Sequence, residues 1–135
     1  MATEEPAYRL VEEAGAFEIR DYGSITIAET LVKEDFDSAG NSAFGTLFGY
    51  ISGKNRTQQK IAMTAPVLQQ AEGDGSFRVG FIAPSRYSLQ TAPAPADARV
   101  QLRELPPQRM AVMRYSGRWT EKNFRDHEAR LLAWI

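Results

Sequence analysis

The sequence reads as an α+β domain: one complete β-β-α-β-β unit, then the start of a second, with a mostly antiparallel sheet curving around two helices. Three observations predict this. Segments of alternating apolar residues flank a segment with helical apolar spacing, clusters of turn-forming residues separate them, and the same order begins again near residue 100. A chain of 135 residues is one domain by size, 1–135, and folding removes roughly two-thirds of its unfolded surface from water.

Phe17, Ile19, Ile25, Ile27 and Leu31 all fall at odd positions, and Asp21-Tyr22-Gly23-Ser24 reads as the turn of a hairpin between two strands over 17–33. The acidic run Lys33 to Ser38 leads into a helix. Its apolar residues Phe44, Leu47, Phe48 and Ile51 stand at i, i+3, i+4 and i+7, which gives one apolar face, and Gly53 is its stop. Ile61, Met63, Ala65 and Val67 then alternate as in a strand, with Pro66 marking an edge or a bulge. After the turn Ala71 to Ser76, alternation resumes at Phe77, Val79 and Phe81, which closes a second hairpin. Ser88 to Ala98 is an extended connection.

Val100, Leu102 and Leu105 open the second unit, Pro106-Pro107 turns the chain, and a strand runs from Arg109 to Tyr115. Thr120 caps a helix carrying Phe124, Leu131 and Ile135. Superposing Phe17-Glu-Ile-Arg-Asp21 on Val100-Gln-Leu-Arg-Glu104 also brings Ala28 onto Ala111. The second unit stops at its helix, so its two closing strands are missing. On this reading the chain is a truncated, processed or engineered form, or one that completes its sheet from another copy; unpaired edges beside an apolar helix face invite homo-oligomers.

Composition excludes several classes of function. With no cysteine there is no disulfide, thiolate metal site or thiol nucleophile, and a single histidine, His127, rules out a site built from several imidazoles. Sixteen Lys+Arg against 17 Asp+Glu, spread without a basic block, argue against nucleic acid as a partner. The acidic start Met-Ala-Thr-Glu-Glu-Pro has no apolar core and no segment has ~18 consecutive apolar residues, so a cytoplasmic protein with no membrane partner is expected. There is no Gly-x-Ser-x-Gly elbow, and adjacent Asp126 and His127 face different ways on a helix, so no hydrolytic triad forms and no enzyme is expected. Gly40 to Gly45 lacks the lysine of a phosphate loop, and the acidic Glu34, Asp35 and Asp37 are ordinary complements to a helix amino terminus.

The stretch Phe44 to Val67 carries the strongest signal. Tyr50-Ile-Ser-Gly-Lys-Asn55 followed by Lys60-Ile-Ala-Met-Thr-Ala-Pro-Val67 resembles the signature of the SOUL family of heme-binding proteins, with support from Phe17-Glu-Ile-Arg20 and Ser116-Gly-Arg-Trp-Thr120. The resemblance implies a curved sheet or distorted barrel around two helices and non-covalent binding of heme or a related tetrapyrrole, for transport, buffering or signalling. It also implies a porphyrin against the first helix, which here places Asn41, Phe44 and Phe48 at the ligand. Leu47 and Met63 join the cofactor-facing set, with core packing as the plainer role of each. Arg56 and Lys60 can meet the propionates, or be ordinary surface charges. Where the family has a basic residue late in the helix, this chain has Gly49.

His127, between Phe124 and Leu131, is either a packed histidine or an axial iron ligand. A second reading is an effector-binding domain for apolar or cationic small molecules. That reading needs a buried carboxylate, and Glu29, which interrupts an apolar strand, is the candidate. A third is a form that acts through self-association.

Overall fold

The computed structural model describes residues 4–33, 36–64, 67–72, 74–118 and 120–135, excluding the side chains of Phe36, Asp37, Gly40 and Asn41. Glu34, Asp35, Ala65 and Pro66, and the side chains of Asp37 and Asn41, therefore lie outside the described residues. The elements run β1 (Tyr8–Ala14), β2 (Phe17–Tyr22), β3 (Ile25–Val32), α1 (Phe36–Ile51), β4 (Val67–Ala71), β5 (Phe77–Ile82), β6 (Gln101–Leu105), β7 (Gln108–Met113) and α2 (Glu121–Trp134). The fold is α+β, with every strand ladder antiparallel.

The strands form two sheets, one of order β4-β5-β3-β6 and one of order β1-β2-β7, and no closed barrel among the described residues. Each belongs to a compact unit: the first is Ser24–Leu105 with the residues up to Pro6, the second Ala7–Gly23 with Pro106–Ile135.

The hairpin expected over 17–33 does not form. β2 and β3 are consecutive and separated by Gly23-Ser24, yet β2 pairs with β1 and β7 while β3 pairs with β5 and β6. The same holds for β6 and β7 across Pro106-Pro107. Turn chemistry fixes where a strand ends, not which neighbour it takes, and here the repeat decides. Ile25 faces Leu105 in one sheet and Tyr22 faces Gln108 in the other; these are one pairing under a single shift (108 − 25 = 105 − 22 = 83). That shift also takes Phe17 to Val100 and Ala28 to Ala111. The repeat is therefore present in the ladders as well as in the element order.

The β4–β5 hairpin forms as expected, with Val67 opposite Phe81. Residues 61–64 are not in a strand, however, and β4 begins only at Val67. This stretch is committed elsewhere: Ile61 N–H donates to Ile51 O at 2.7 Å, Thr64 makes a parallel bridge with Glu4, and the Thr64 side-chain hydroxyl donates to Ile82 O. The strand β1 carries no clear sequence signal, being exposed along its whole length and bulged between Leu10 and Glu12.

In the first unit α1 packs on β3 and β5. Ala28, Thr30, Val79 and Phe81 share one sheet face by register and are all buried, as are Ala39, Ala43, Leu47, Tyr50 and Ile51 of the helix. In the second unit α2 packs on β7, and Trp134 stacks on Phe17 of β2 with ring centroids 5.1 Å apart. Thr120 caps α2 as expected, accepting from Asn123 N–H. On the other face of that sheet Arg20 is buried, donating to Glu18 and the Tyr22 hydroxyl at 2.6 and 2.8 Å beneath the Tyr8 ring.

Candidate functional site

The apolar arc of α1 is not the single face its spacing predicts. Small residues set the inward side: Ala39 and Ala43 let the helix approach the sheet closely, which turns Leu47, Tyr50 and Ile51 inward after them. Tyr50 is anchored by its hydroxyl, which donates to Pro93 O at 2.6 Å, and burial together with the nearby Tyr87 phenol pushes its pKa up to about 12, so it stays a neutral donor. Phe44 and Phe48 are left outside. They are 47% and 49% exposed and stack on each other, centroids 5.6 Å apart and planes 16° apart. Leu47, at 1% exposure, is core and not part of this ledge.

Two glycines widen the ledge. Gly45 and Gly49 sit inside the helix, where each costs about 0.5–1 kcal/mol relative to alanine. A Cβ at Gly45 would meet nothing within 4 Å, so packing does not explain that residue; what it provides is bare helix backbone beside two aromatic rings. Gly45→Ala is accordingly expected to raise stability by about 0.5–1 kcal/mol in urea unfolding, and a loss of stability would mean the position is crowded. A Cβ at Gly49 would stand 3.2 Å from Cδ of Lys54. The Lys54 side chain thus lies against the last turn of α1, beside the Gly49 that departs from the basic residue of the resemblance. Sequence reasoning missed Lys54; the signal was a helical glycine five residues before a lysine in a loop that folds back.

That fold-back is built by Asn55. The helix ends with Ser52 and Lys54 N–H donating to Phe48 O and Gly49 O, both at 2.9 Å, and Gly53 takes φ 122°, open to glycine alone at low strain. The buried Asn55 amide then donates to Tyr50 O and Gln59 O at 3.0 and 2.8 Å, while its oxygen accepts from Gln59 N–H and the Thr57 hydroxyl. Arg56, Lys60 and Met63 are all exposed along the loop, with Arg56 held by its backbone N–H on Ala94 O at 2.8 Å. Neither Arg56 nor Lys60 makes an ion pair among the described residues.

His127 belongs to the second unit, on α2. Its Nδ1 lies 2.7 Å from Asn123 O, and since a carbonyl only accepts, Nδ1 carries the proton and Nε2 holds the lone pair of the neutral ring. The Tyr115 ring covers one imidazole face at 4.0 Å and 10°. Both the packed and the ligand roles are compatible with that tautomer.

Glu29 is buried, as the interrupted apolar register implied, but it is not a free carboxylate. It accepts from Arg78 Nη1 at 3.0 Å and from Arg103 Nε and Nη2 at 2.9 and 3.2 Å. Gly80, directly opposite, leaves room for it: a Cβ there would lie 3.1 Å from both Ala28 O and Glu29 Cβ. No group of three or more histidine, aspartate or glutamate side chains able to hold a metal occurs among the described residues, and no described helix is long and apolar enough to cross a membrane.

The SOUL heme-binding protein profile matches residues 3–135. Heme-binding protein 2 of Homo sapiens is 41% identical over 92 residues, which cover 64% of this chain and 45% of that protein. Heme-binding protein 2 of Mus musculus is 32% identical over 126 residues, covering 86% of this chain and 62% of that protein. The matched part of the chain thus spans about half of one relative and three-fifths of the other. With a match that runs along nearly all its length, the chain belongs to the SOUL heme-binding protein family.

Proposed function

We propose that this protein binds heme or a related tetrapyrrole non-covalently on the Phe44–Phe48 ledge, as a carrier, buffer or sensor and without catalysing a reaction. The observation that carries this is two stacked phenylalanines left half exposed on a helix that buries its alanines. Burying an apolar ring of that size is worth about 1.5–3 kcal/mol, a gain the folded chain leaves for a ligand. The chemistry of the surroundings fits a porphyrin: rings for its apolar plane, bare backbone at Gly45 for close approach, and the cations Lys54, Arg56 and Lys60 in the loop for propionates. Met63 and Asn41 belong to the same proposed surface, and His127, the one imidazole of the chain, stands on the other unit.

A cationic effector is the weaker reading because Glu29 already has two guanidiniums on its carboxylate. The test is a hemin titration in the Soret region on the chain and on Phe44→Ala/Phe48→Ala. The double variant is expected to bind about tenfold or more weakly, the equivalent of about 1.4 kcal/mol or more. Unchanged affinity would move the site off this helix. In the same experiment, a Soret maximum that shifts in His127→Ala would assign the axial ligand, and an unmoved one would leave His127 as a packing residue.

A further inference from the structure

The ladder shared by the two units is broken at one point. In the second unit it runs on to Phe17 opposite Met113, and beyond that pair Arg114 N–H donates to Ala16 O at 3.3 Å. Under the shift of 83 the corresponding contacts in the first unit would be Val100 opposite Thr30 and Leu31 N–H on Arg99 O. Neither is made, and the β3–β6 ladder stops at Glu29 opposite Gln101. The chain before β6 turns away instead: Val100 N–H donates to Asp97 O at 3.1 Å and Arg99 N–H to the Asp97 carboxylate at 2.9 Å. Pro93 and Pro95, just upstream, have no N–H to give a ladder.

A cavity of about 390 Å³ opens where those contacts are missing, a size suited to a small ligand. Its lining includes Glu29, Leu31, Arg78, Arg99 and Gln101, and all of it belongs to the first unit. Backbone direction alternates along a strand. Ala83 N–H donates to Thr26 O at 2.8 Å, so the even-numbered residues of β3 turn their N–H and C=O toward β5 and the odd-numbered ones toward β6. Leu31 therefore points both groups past the end of β6, where they take no hydrogen-bond partner among the described residues. Its side chain is 51% exposed on the sheet face turned away from α1. The arginines also have N–H groups to spare. Arg78 bonds through Nε and Nη1 and Arg99 through Nε and Nη2, which leaves Nη2 of the first and Nη1 of the second without a partner among the described residues. The carboxylates are by contrast occupied, Glu29 by Arg78 and Arg103 and Asp97 by Arg99. Surplus donors beside satisfied carboxylates select an anion over a cation.

We propose that this cavity binds the carboxylate end of an N-acylated amino acid, either a free acylamino acid or the last residue of a peptide. One such residue supplies what the unmade pair lacks. Its N–H donates to Leu31 C=O, and its carboxylate accepts from Leu31 N–H and from the Arg78 and Arg99 guanidiniums. Residues paired in this way carry their side chains on the same face of the sheet, so an apolar side chain on the ligand covers Leu31. The site lies on the face of the sheet opposite α1 and does not depend on the Phe44–Phe48 ledge.

N-acetyl-L-leucine titrated into the isotope-labelled chain is expected to shift the Leu31 amide resonance saturably. N-acetyl-L-leucinamide, which lacks the charge, should bind about tenfold or more weakly. Arg99→Gln breaks only an exposed pair with Asp97, so it is expected to fold and to weaken N-acetyl-L-leucine by about tenfold. Phe44→Ala/Phe48→Ala should bind this probe as the parent does, which keeps the result separate from the hemin titration. An acetylated tripeptide ending in leucine that binds more tightly than N-acetyl-L-leucine identifies a chain end as the ligand, and equal affinity identifies the free acylamino acid. A Leu31 amide that does not move at millimolar ligand overturns the proposal, as does an uncharged amide that binds as well as the acid or an affinity indifferent to Arg99→Gln.

Discussion

Glu29→Ala is expected to lower stability by about 3 kcal/mol in urea unfolding, among the largest effects of any single polar substitution in this chain. Glu29 is the buried member of a triad whose arginines are partly exposed, at 32% and 42%. Removing the carboxylate leaves two guanidiniums close together on one sheet face with one remaining counter-charge among the described residues, Glu72, bound to Arg78 at 2.7 Å. Because both arginines reach solvent, they can rehydrate, which places the loss at the low end of the range of about 3–5 kcal/mol for breaking a buried pair. Glu29→Gln keeps the shape and one acceptor and should lose roughly half as much. In a double-mutant cycle with Arg103→Met the two losses should fall well short of additive. A Glu29→Ala protein within about 0.5 kcal/mol of the parent would mean that the carboxylate is as well solvated unfolded as folded, and the triad would then be incidental.

The triad also shows how much of the site could be read in advance. An acidic residue in an apolar strand pointed to a buried carboxylate at position 29, and the chain does bury it. Its partners come from positions 78 and 103, on the two strands that flank β3, and pairing between strands far apart in sequence leaves no local trace. The fold follows the same division. Alternation located β2, β3 and β5, Gly53 and Thr120 marked helix ends, and the weak likeness of residues 17–28 to 100–111 was a true repeat. What alternation could not show is that β2 and β3 part company at Gly23-Ser24, because a turn and a crossing between sheets use the same residues. Over residues 61–64 the expected strand failed for a related reason: Ile61 and Thr64 are engaged by Ile51, Glu4 and Ile82, none of them sequence neighbours.

Within α1 the expected face was misplaced by one residue class. Counting only large apolar side chains gives Phe44, Leu47, Phe48 and Ile51, an arc centred between inside and outside. Counting the alanines moves the centre to Ala39, Ala43 and Leu47, and the phenylalanines fall off its edge. The remainder is an exposed aromatic pair on a helix that has already satisfied its sheet. Lys54 was invisible for a different reason, since its position depends on the Asn55 clamp that turns the loop back along the helix.

Leu47→Ala separates these two faces by experiment, with an expected loss of about 2–5 kcal/mol. Leu47 and Val79 are the largest fully buried side chains among the described residues, and the fully buried Ala39 and Ala43 on the same helix have no longer side chain to swing into the gap. The vacated volume therefore persists as a cavity, and the cost should fall in the upper part of that range; Leu47→Met, which conserves volume, should cost under about 1.5 kcal/mol. One helical position earlier in the arc, Phe44→Ala removes a larger side chain but should change stability by no more than about 0.5 kcal/mol, since half of that ring is already in water. Hemin binding should follow the opposite order. Measured below the unfolding transition, Leu47→Ala keeps the ledge and the affinity, whereas Phe44→Ala keeps the fold and loses affinity. If both variants lost stability alike, the phenylalanine would be part of the core, and the exposure that singles it out as a ligand contact would have no functional meaning.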